Sequence, residues 1–149
     1  IGVLILGFRG GKRARIALGI ILIATGITDL TVVEVIKPTI ARLRPSHTLG
    51  DTINVLIGKG GKYGFVSAHA ANIFCAITIL SYFYERWKNP LFFLALSVSI
   101  SRVYVGVHYP GDVIFGGLYG YGIAWLFITI WVLIKMRELK RGRTWVQYE

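Results

Sequence analysis

The segment Ser101–Asp112, SRVYVGVHYPGD, ends a long apolar stretch and places an arginine, a histidine and an aspartate there. An ionisable residue in the centre of a membrane costs roughly 2.5–3.5 kcal/mol even on the most lenient insertion scale. Arg102, His108 and Asp112 must therefore lie near a wet surface, pair with one another or bind an anion. Because His108 and Asp112 are four residues apart with Pro-Gly between them, the spacing predicts an extended turn that leads into a new helix.

The same segment has the residue types of a nucleophilic site. An aspartate at a helix start accepts a hydrogen bond from one imidazole nitrogen, which fixes the tautomer and leaves the other nitrogen free to attack. Arg102 has a planar guanidinium group that can donate two parallel hydrogen bonds to a phosphate or a carboxylate. For this segment alone an alternative stays open, in which His108 is only capped by Asp112 and the arginine extends to the membrane surface.

The apolar residues of the chain lie in long blocks. Hydrophobic residues form 54% of the 149 residues, and four blocks approach the ~20 residues with which a helix crosses a bilayer. The sequence therefore predicts an all-α, polytopic membrane helix bundle in a single domain, residues 1–149. We expect four full spans plus the tail of an N-terminal one, and a chain that lacks its N-terminal helix or helices. The blocks are residues 16–36, 68–84, 91–107 and 113–134, and the tail is residues 1–8.

The basic residues are distributed unequally between the loops. Eleven of the 17 Lys and Arg residues fall on one side if each block spans once, and the positive-inside rule makes that side cytoplasmic. The other six share the outer side with both His69 and His108. Cations concentrated where positive charge is disfavoured indicate a bound anion. These six are Lys37, Arg42, Arg44, Lys59, Lys62 and Arg102.

Two further segments bring polar groups to the outer side. Lys37 and Arg44 are seven residues apart, so they share a face if the segment stays helical, and they repel each other unless an anion lies between them. A solvated basic loop is the alternative for this segment. Ser67 and His69 open the third block, where a hydroxyl and free backbone amides form an anion site that the helix dipole favours. Asp29 in the first block is a candidate partner for a basic residue of the site.

The polar, glycine-rich residues 48–64 indicate a mobile outer loop that lies over the site. Such loops commonly contact the head group of a substrate. Four basic residues are candidates for head-group contacts: Arg42, His47, Lys59 and Lys62.

In order and spacing, these pieces resemble the three-part signature of the type 2 phosphatidic acid phosphatase family, which is related to vanadium haloperoxidases and glucose-6-phosphatase. Lys37 to Pro45 matches the first part, a lysine, six residues and then Arg-Pro. Ser101 to Asp112 matches the third part, Ser-Arg, five residues, His, three residues and Asp. The middle part is usually Pro-Ser-Gly-His and reads Val-Ser-Ala-His at residues 66–69. Ala68 keeps its N–H, so an amide contact to phosphate is retained, although its β-carbon narrows the pocket slightly.

The resemblance implies a role for each residue. His108 would attack phosphorus and form a phosphohistidine, Asp112 would orient it, and His69 would protonate the leaving oxygen and later activate water. Since His108 must be neutral while His69 is protonated, their pKa values must be separated. Positioning and charge compensation are the main demands of phosphoryl transfer, so no metal or other cofactor is implied. The groups that would hold the phosphoryl oxygens are Lys37, Arg44, Ser67, the Ala68 amide and Arg102.

We therefore expect an integral-membrane lipid phosphatase of a bacterial inner membrane, with its site at the outer, periplasmic ends of the helices. The basic loop favours a polyanionic substrate such as a lipid A phosphate or a polyprenyl diphosphate, with phosphatidylglycerol phosphate and phosphatidic acid as further options. The expected partners are the lipid substrate and the bilayer, with no nucleic acid and no obligate protein partner. Two alternatives stay open. One is vanadate-dependent halide oxidation, which the spans disfavour because known haloperoxidases are soluble; the other is non-catalytic transport of a lipid or anion.

Overall fold

The computed structural model describes residues 11–49, 56 and 60–148, and in this part the predicted all-helical architecture is confirmed. Helix α1 begins as Lys12–Leu30, continues through a π-helical segment, Thr31–Ile36, and ends with Lys37–Ile40. The short helix α2, Pro45–Thr48, follows. The remaining helices are α3, Ala68–Phe83, α4, Lys88–Tyr104, and α5, Pro110–Lys140, with a 3₁₀ turn, Glu85–Trp87, between α3 and α4.

Helices α1 and α5 are long and apolar enough to cross a membrane, as expected for a membrane protein. Helix α3 is apolar but has 16 residues, and α4 has 17. At 1.5 Å per residue these two helices are about 24 and 26 Å long, somewhat less than a hydrocarbon core of roughly 30 Å. Four full spans therefore stay a prediction, as does the outer position of the site. The predicted tail at residues 1–8 lies outside the described residues.

Helix α3 lies at the centre of the bundle and packs against α1, α4 and α5. Its contact with α5 is backbone to backbone because glycines line the interface. A Cβ atom at Gly116 would lie 2.6 Å from the Ser67 carbonyl oxygen, and one at Gly120 would overlap the Ala71 carbonyl. Small residues allow such close contact between helices in a membrane, and here the contact brings the first turns of α3 and α5 together.

The end of the bundle where α1 and α4 finish and α3 and α5 begin carries the signature residues. The two helix starts are joined by a hydrogen bond from the Ser67 N–H to the Asp112 carbonyl oxygen, 2.9 Å long. The loop after α1 is tied to the same place, since Arg44 donates through Nη1 to the Val107 carbonyl at 3.4 Å. Four helix ends therefore meet around one point.

The loop after α1 differs from the sequence prediction in two ways. The helix ends at Ile40, and Ala41 is left-handed with φ 51°, so Lys37 and Arg44 do not share a helical face. The chain instead reverses and forms a β-bridge between Leu43 and Tyr63, with the Arg44 N–H donating to the Lys62 carbonyl at 3.2 Å. Backbone hydrogen bonds thus pair Lys62 and Gly64 with Arg44 and Arg42, and the predicted mobility of residues 48–64 stays a prediction.

The opposite end of the bundle is covered by residues that follow α5. Val146 is fully buried, and the Tyr148 ring stacks on Trp131 with centroids 6.4 Å apart. Arg13 and Lys135 lie over the same tyrosine ring at 5.3 and 4.7 Å. This aromatic and cationic cluster fixes the end of the bundle away from the signature residues.

Candidate active site

The turn between α4 and α5 brings His108 and Asp112 together. Gly106 reverses the chain with φ 76°, which favours glycine, and Tyr109 is extended before α5 begins at Pro110, as the sequence predicted. His108 Nδ1 lies 3.6 Å from Asp112 Oδ2, and the two side chains are 2% and 0% exposed. This separation is slightly longer than a hydrogen bond, so a small decrease in the distance between the two side chains would let the carboxylate fix the imidazole tautomer.

Three contacts hold Asp112 in place. Its Oδ2 accepts a hydrogen bond from the Tyr109 N–H at 2.9 Å, its Oδ1 accepts one from Arg42 Nη1 at 3.2 Å, and its carbonyl accepts one from Ser67. The Arg42 guanidinium also lies over the Tyr109 ring, 4.5 Å from the centroid. The guanidinium for which we expected a head-group contact is thus bound to the carboxylate that faces His108. The sequence did not indicate this ion pair, which joins residues far apart in the chain.

The cations of the first signature part surround the same histidine. Arg44 is fixed by hydrogen bonds from Nε to the Tyr63 carbonyl at 3.3 Å and from Nη1 to the Val107 carbonyl at 3.4 Å. The charges of Lys37 and Arg44 act on each other and on His108. The two cations therefore meet at the site by a chain reversal and not along one helix.

The second signature part lies at the start of α3. Ser67 is fully buried and caps the helix, with its Oγ accepting a hydrogen bond from the Ala70 N–H at 3.4 Å. Its hydroxyl proton remains available to an anion. The Ala68 N–H lies in the first turn, where backbone amides have no partner within the helix. These groups lie beside the Asp112 backbone.

His69 and Arg102 complete the cluster. His69 is exposed in the first turn of α3, and the charges of Arg102, His108, Lys37 and Arg44 all act on it. Arg102 Nε is buried and lacks a hydrogen-bond partner among the described residues. A buried N–H of a cation without an acceptor favours an anionic ligand.

Burial lowers the pKa of the His108 imidazole below its usual value, and the charges of Arg44 and Lys37 lower it further. Its contact with the Asp112 carboxylate acts in the opposite direction but does not outweigh burial. The sequence left open which of these effects wins. The structure favours a neutral His108 at pH 7, the protonation state that a nucleophile requires.

The other candidate head-group residues are more peripheral. His47 Nε2 lies 3.5 Å from the Gly60 carbonyl oxygen, and the Lys62 ammonium lies 5.6 Å from the centre of the Tyr63 ring. Both His47 and Lys62 are exposed. Lys59 is outside the described residues. Their contact with a head group stays a prediction.

A groove of about 690 Å³ runs down from His69 between α1, α3 and α4. Asn72 lies within it and donates a hydrogen bond through Nδ2 to Asp29 Oδ1 at 2.9 Å. The direct partner of Asp29 is thus an amide and not the expected basic residue, although its charge also acts on Lys37. A larger groove of about 1110 Å³, on the other side of α3, contains none of the candidate site residues.

The chain is similar to several membrane-lipid phosphatases. Over 101 residues it is 40% identical to the lipid A 4'-phosphatase of Bacteroides thetaiotaomicron, a match that covers 64% of this chain and 45% of that protein. Over 120 residues it is 37% identical to the undecaprenyl-diphosphatase of Sulfolobus acidocaldarius, covering 80% of this chain and 57% of that protein. The chain spans about half the length of these curated relatives.

A solved structure has a similar fold over most of this chain. The transmembrane PAP2 type phosphatidylglycerolphosphate phosphatase from Bacillus subtilis superimposes with a TM-score of 0.62 and 25% sequence identity, covering 86% of this chain and 66% of that one. The family model of the PAP2 superfamily matches residues 15–135, a range that contains every candidate catalytic and phosphate-binding residue described above. The chain therefore belongs to the PAP2 superfamily.

Proposed function

We propose that this protein hydrolyses a phosphate or pyrophosphate ester of a membrane lipid at the cluster around His108. The observation that carries the proposal is the buried His108 imidazole, which faces the Asp112 carboxylate at 3.6 Å within reach of the charges of Lys37 and Arg44. The names of the relatives support the substrate class, since they include phosphatases of lipid A, of undecaprenyl diphosphate and of phosphatidylglycerol phosphate. A lipid A phosphate or a polyprenyl diphosphate is the favoured substrate.

In the first step, the Nε2 lone pair of neutral His108 attacks phosphorus while Nδ1–H stays with Asp112. The bond from phosphorus to the lipid oxygen breaks, and His69 gives its proton to that oxygen. The product is a phosphohistidine and a free lipid alcohol, or a lipid phosphate if the substrate is a diphosphate. Lowering the pKa of His108 by burial keeps its lone pair available for this step.

In the second step, His69 accepts a proton from water, and the resulting hydroxide attacks the phosphohistidine. The bond from phosphorus to Nε2 breaks and inorganic phosphate leaves. In both steps the transferring phosphoryl group carries negative charge that nearby donors must compensate. We assign this task to Lys37, Arg44, Arg102, the Ser67 hydroxyl and the Ala68 amide.

We also propose that the site lies at the outer face of a bacterial inner membrane. Support comes from the eleven basic residues in the loops on the other side of the predicted spans. We regard residues 1–149 as a single membrane-embedded phosphatase domain. Fusing a reporter that is active on only one side of the membrane to either end of the chain tests this orientation.

The test of the function is phosphate release from a panel of lipid phosphates, combined with trapping of the covalent intermediate. Wild type should release phosphate and form an acid-labile, base-stable phosphoryl-enzyme, and His108→Ala should do neither. His47→Ala is the matched control, because it also removes a histidine and is expected to change KM while the intermediate still forms. Full function of His108→Ala would refute the proposal and would favour lipid or anion transport instead.

The proposed head-group contacts need a separate measurement. Replacing Lys59 and Lys62 with alanine should weaken the preference for polyanionic head groups, because two cations of the predicted outer loop are lost. The order of kcat/KM values across the lipid panel is the readout. An unchanged order would remove the argument for these contacts.

A further inference from the structure

The groove below His69 contains polar groups deep along the helices. His69 and Asn72 are three residues apart on α3, so they lie on the same face and follow one another down the groove. Asp29 faces them from α1, and Thr25 lies one turn further along that helix. Since His69 is the proposed donor to the leaving oxygen, a leaving group that departs from the phosphorus enters this groove first.

Asp29 and Asn72 are unusual residues for such a position. Asp29 lies in a helix long and apolar enough to cross a membrane, where a carboxylate is a functional candidate by default. The Asn72 amide donates to Asp29 Oδ1 at 2.9 Å, which orients both side chains. Asn72 Oδ1 is buried and has no hydrogen-bond partner among the described residues. The exposed Asp29 carboxylate therefore offers acceptor oxygens to the groove, and the Asn72 amide holds that carboxylate in place.

We propose that Asp29 and Asn72 form a subsite for the leaving group, in which the Asp29 carboxylate, oriented by Asn72, accepts hydrogen bonds from hydroxyl or amide N–H groups next to the ester oxygen. This inference rests on the proposed phosphatase function and narrows its substrate class. The preferred substrate is a phosphate monoester of an alcohol that carries its own donors, as a sugar or a glycerol unit does. Of the two substrates favoured above, the subsite selects the lipid A phosphate and disfavours the polyprenyl diphosphate, because the leaving group of the diphosphate is an anionic phosphate that the Asp29 carboxylate repels.

Three lipids differ in whether the leaving group carries a neighbouring hydroxyl and whether it carries a negative charge at the reacting oxygen. The alcohol released from phosphatidylglycerol phosphate carries a hydroxyl beside the ester oxygen, whereas the diacylglycerol released from phosphatidic acid has no hydroxyl there. Undecaprenyl diphosphate releases an anion. Wild type should show the highest kcat/KM with phosphatidylglycerol phosphate, by about tenfold or more over the other two, because a site built to hydrogen-bond a substrate group discriminates against analogues without it.

Two variants test the residues themselves. Asp29→Asn keeps the size of the side chain and removes its charge, so the ratio of kcat/KM for undecaprenyl diphosphate to that for phosphatidylglycerol phosphate should rise about tenfold. Asn72→Leu removes the amide that orients the Asp29 carboxylate, so the advantage of phosphatidylglycerol phosphate over phosphatidic acid should fall by a similar factor. Ratios measured within one variant do not depend on the amount of folded enzyme.

Thr78→Val is the matched control. Thr78 is also on α3 but lines the groove on the other side, and its hydroxyl donates to the Phe74 carbonyl at 2.6 Å. This variant should keep the wild-type ratios. Active variants whose ratios equal those of wild type would refute the subsite and leave the phosphatase function intact, as would a wild type that prefers the diphosphate. No phosphate release from any lipid by wild type would refute the proposed function and the subsite together.

Discussion

Substituting Gly116 with alanine tests whether the contact between α3 and α5 sets the geometry of the candidate active site. The added Cβ would lie 2.6 Å from the Ser67 carbonyl oxygen, and ordinary contact begins near 3.4 Å. The two helix starts must therefore move apart by about 0.8 Å to relieve the overlap. The hydrogen bond from the Ser67 N–H to the Asp112 carbonyl is 2.9 Å long, and a shift of about 0.8 Å would take it beyond hydrogen-bond range.

The expected cost is larger for activity than for stability. Overpacking costs about 1–3 kcal/mol, and the higher helix propensity of alanine offsets about 1 kcal/mol of this, so the net loss of stability is about 0–2 kcal/mol. Displacing Ser67, which we propose binds phosphate, by nearly 1 Å relative to the proposed nucleophile should lower kcat/KM by about 10–100-fold. The assays are phosphate release from a lipid phosphate and thermal unfolding in the same detergent.

Gly122→Ala is the control for this substitution. Gly122 is on the same helix, and a Cβ there would have no neighbour within 4 Å. Its activity should equal that of wild type and its stability should be equal or slightly higher. If Gly116→Ala retained a kcat/KM within twofold of wild type, the helix contact would not position the site as we argue.

Further predictions concern the group of residues around His108. Asp112→Asn should lower kcat by about 10³–10⁴-fold, because an amide cannot favour the required tautomer in the same way; single-turnover phosphate release measures this, and a loss under tenfold would contradict it. Arg42→Ala should lower kcat by about three- to tenfold with KM unchanged, since Arg42 pairs with the Asp112 carboxylate and is not among the groups that we assign to the phosphate. Arg42→Lys should restore part of the loss. The acid limb of kcat/KM should lie below about pH 6.5, because burial lowers the pKa of His108. Because the His108 pKa is lower in the folded protein than in the unfolded chain, the unfolded chain takes up a proton at a higher pH. The free energy of unfolding should therefore fall as the pH drops below about 6.5. Thermal unfolding at a series of pH values measures this, and the same pH dependence in His108→Gln would show that another group is responsible.

Local spacing predicted the parts of the site that lie within a few residues of one another. The turn from His108 into the helix that carries Asp112 follows from Pro-Gly and the four-residue spacing, and the structure confirms it. The close contact of α3 and α5 follows from the glycines of α5 in the same way. Patterns of this kind depend only on backbone geometry and residue size, so a sequence is sufficient to read them.

Contacts between distant segments were less predictable. Arg42 and Asp112 are 70 residues apart, and no periodicity connects an exposed arginine with one particular carboxylate. Helix α1 ends at a left-handed residue, a position where glycine is usual, but here the residue is Ala41, so the sequence did not indicate the end of the helix. Asn72 was overlooked because α3 is apolar on all sides, so its sequence does not indicate which face borders the groove. The direction of the His108 pKa shift required knowledge of how deeply the ring is buried.

The separation between helix ends and helix sides has an evolutionary consequence. The groups assigned to phosphate and to the nucleophile lie in loops and in the first or last turns of helices, whereas the groove below His69 is formed by side chains along α1, α3 and α4. Substitutions on those helix sides change the groove that we assign to the leaving group and leave the groups around the phosphate in place. Descendants of one ancestral enzyme are therefore free to diverge in lipid preference by a few changes on helix flanks, and exchanging such positions between relatives offers a direct route to redesigned specificity.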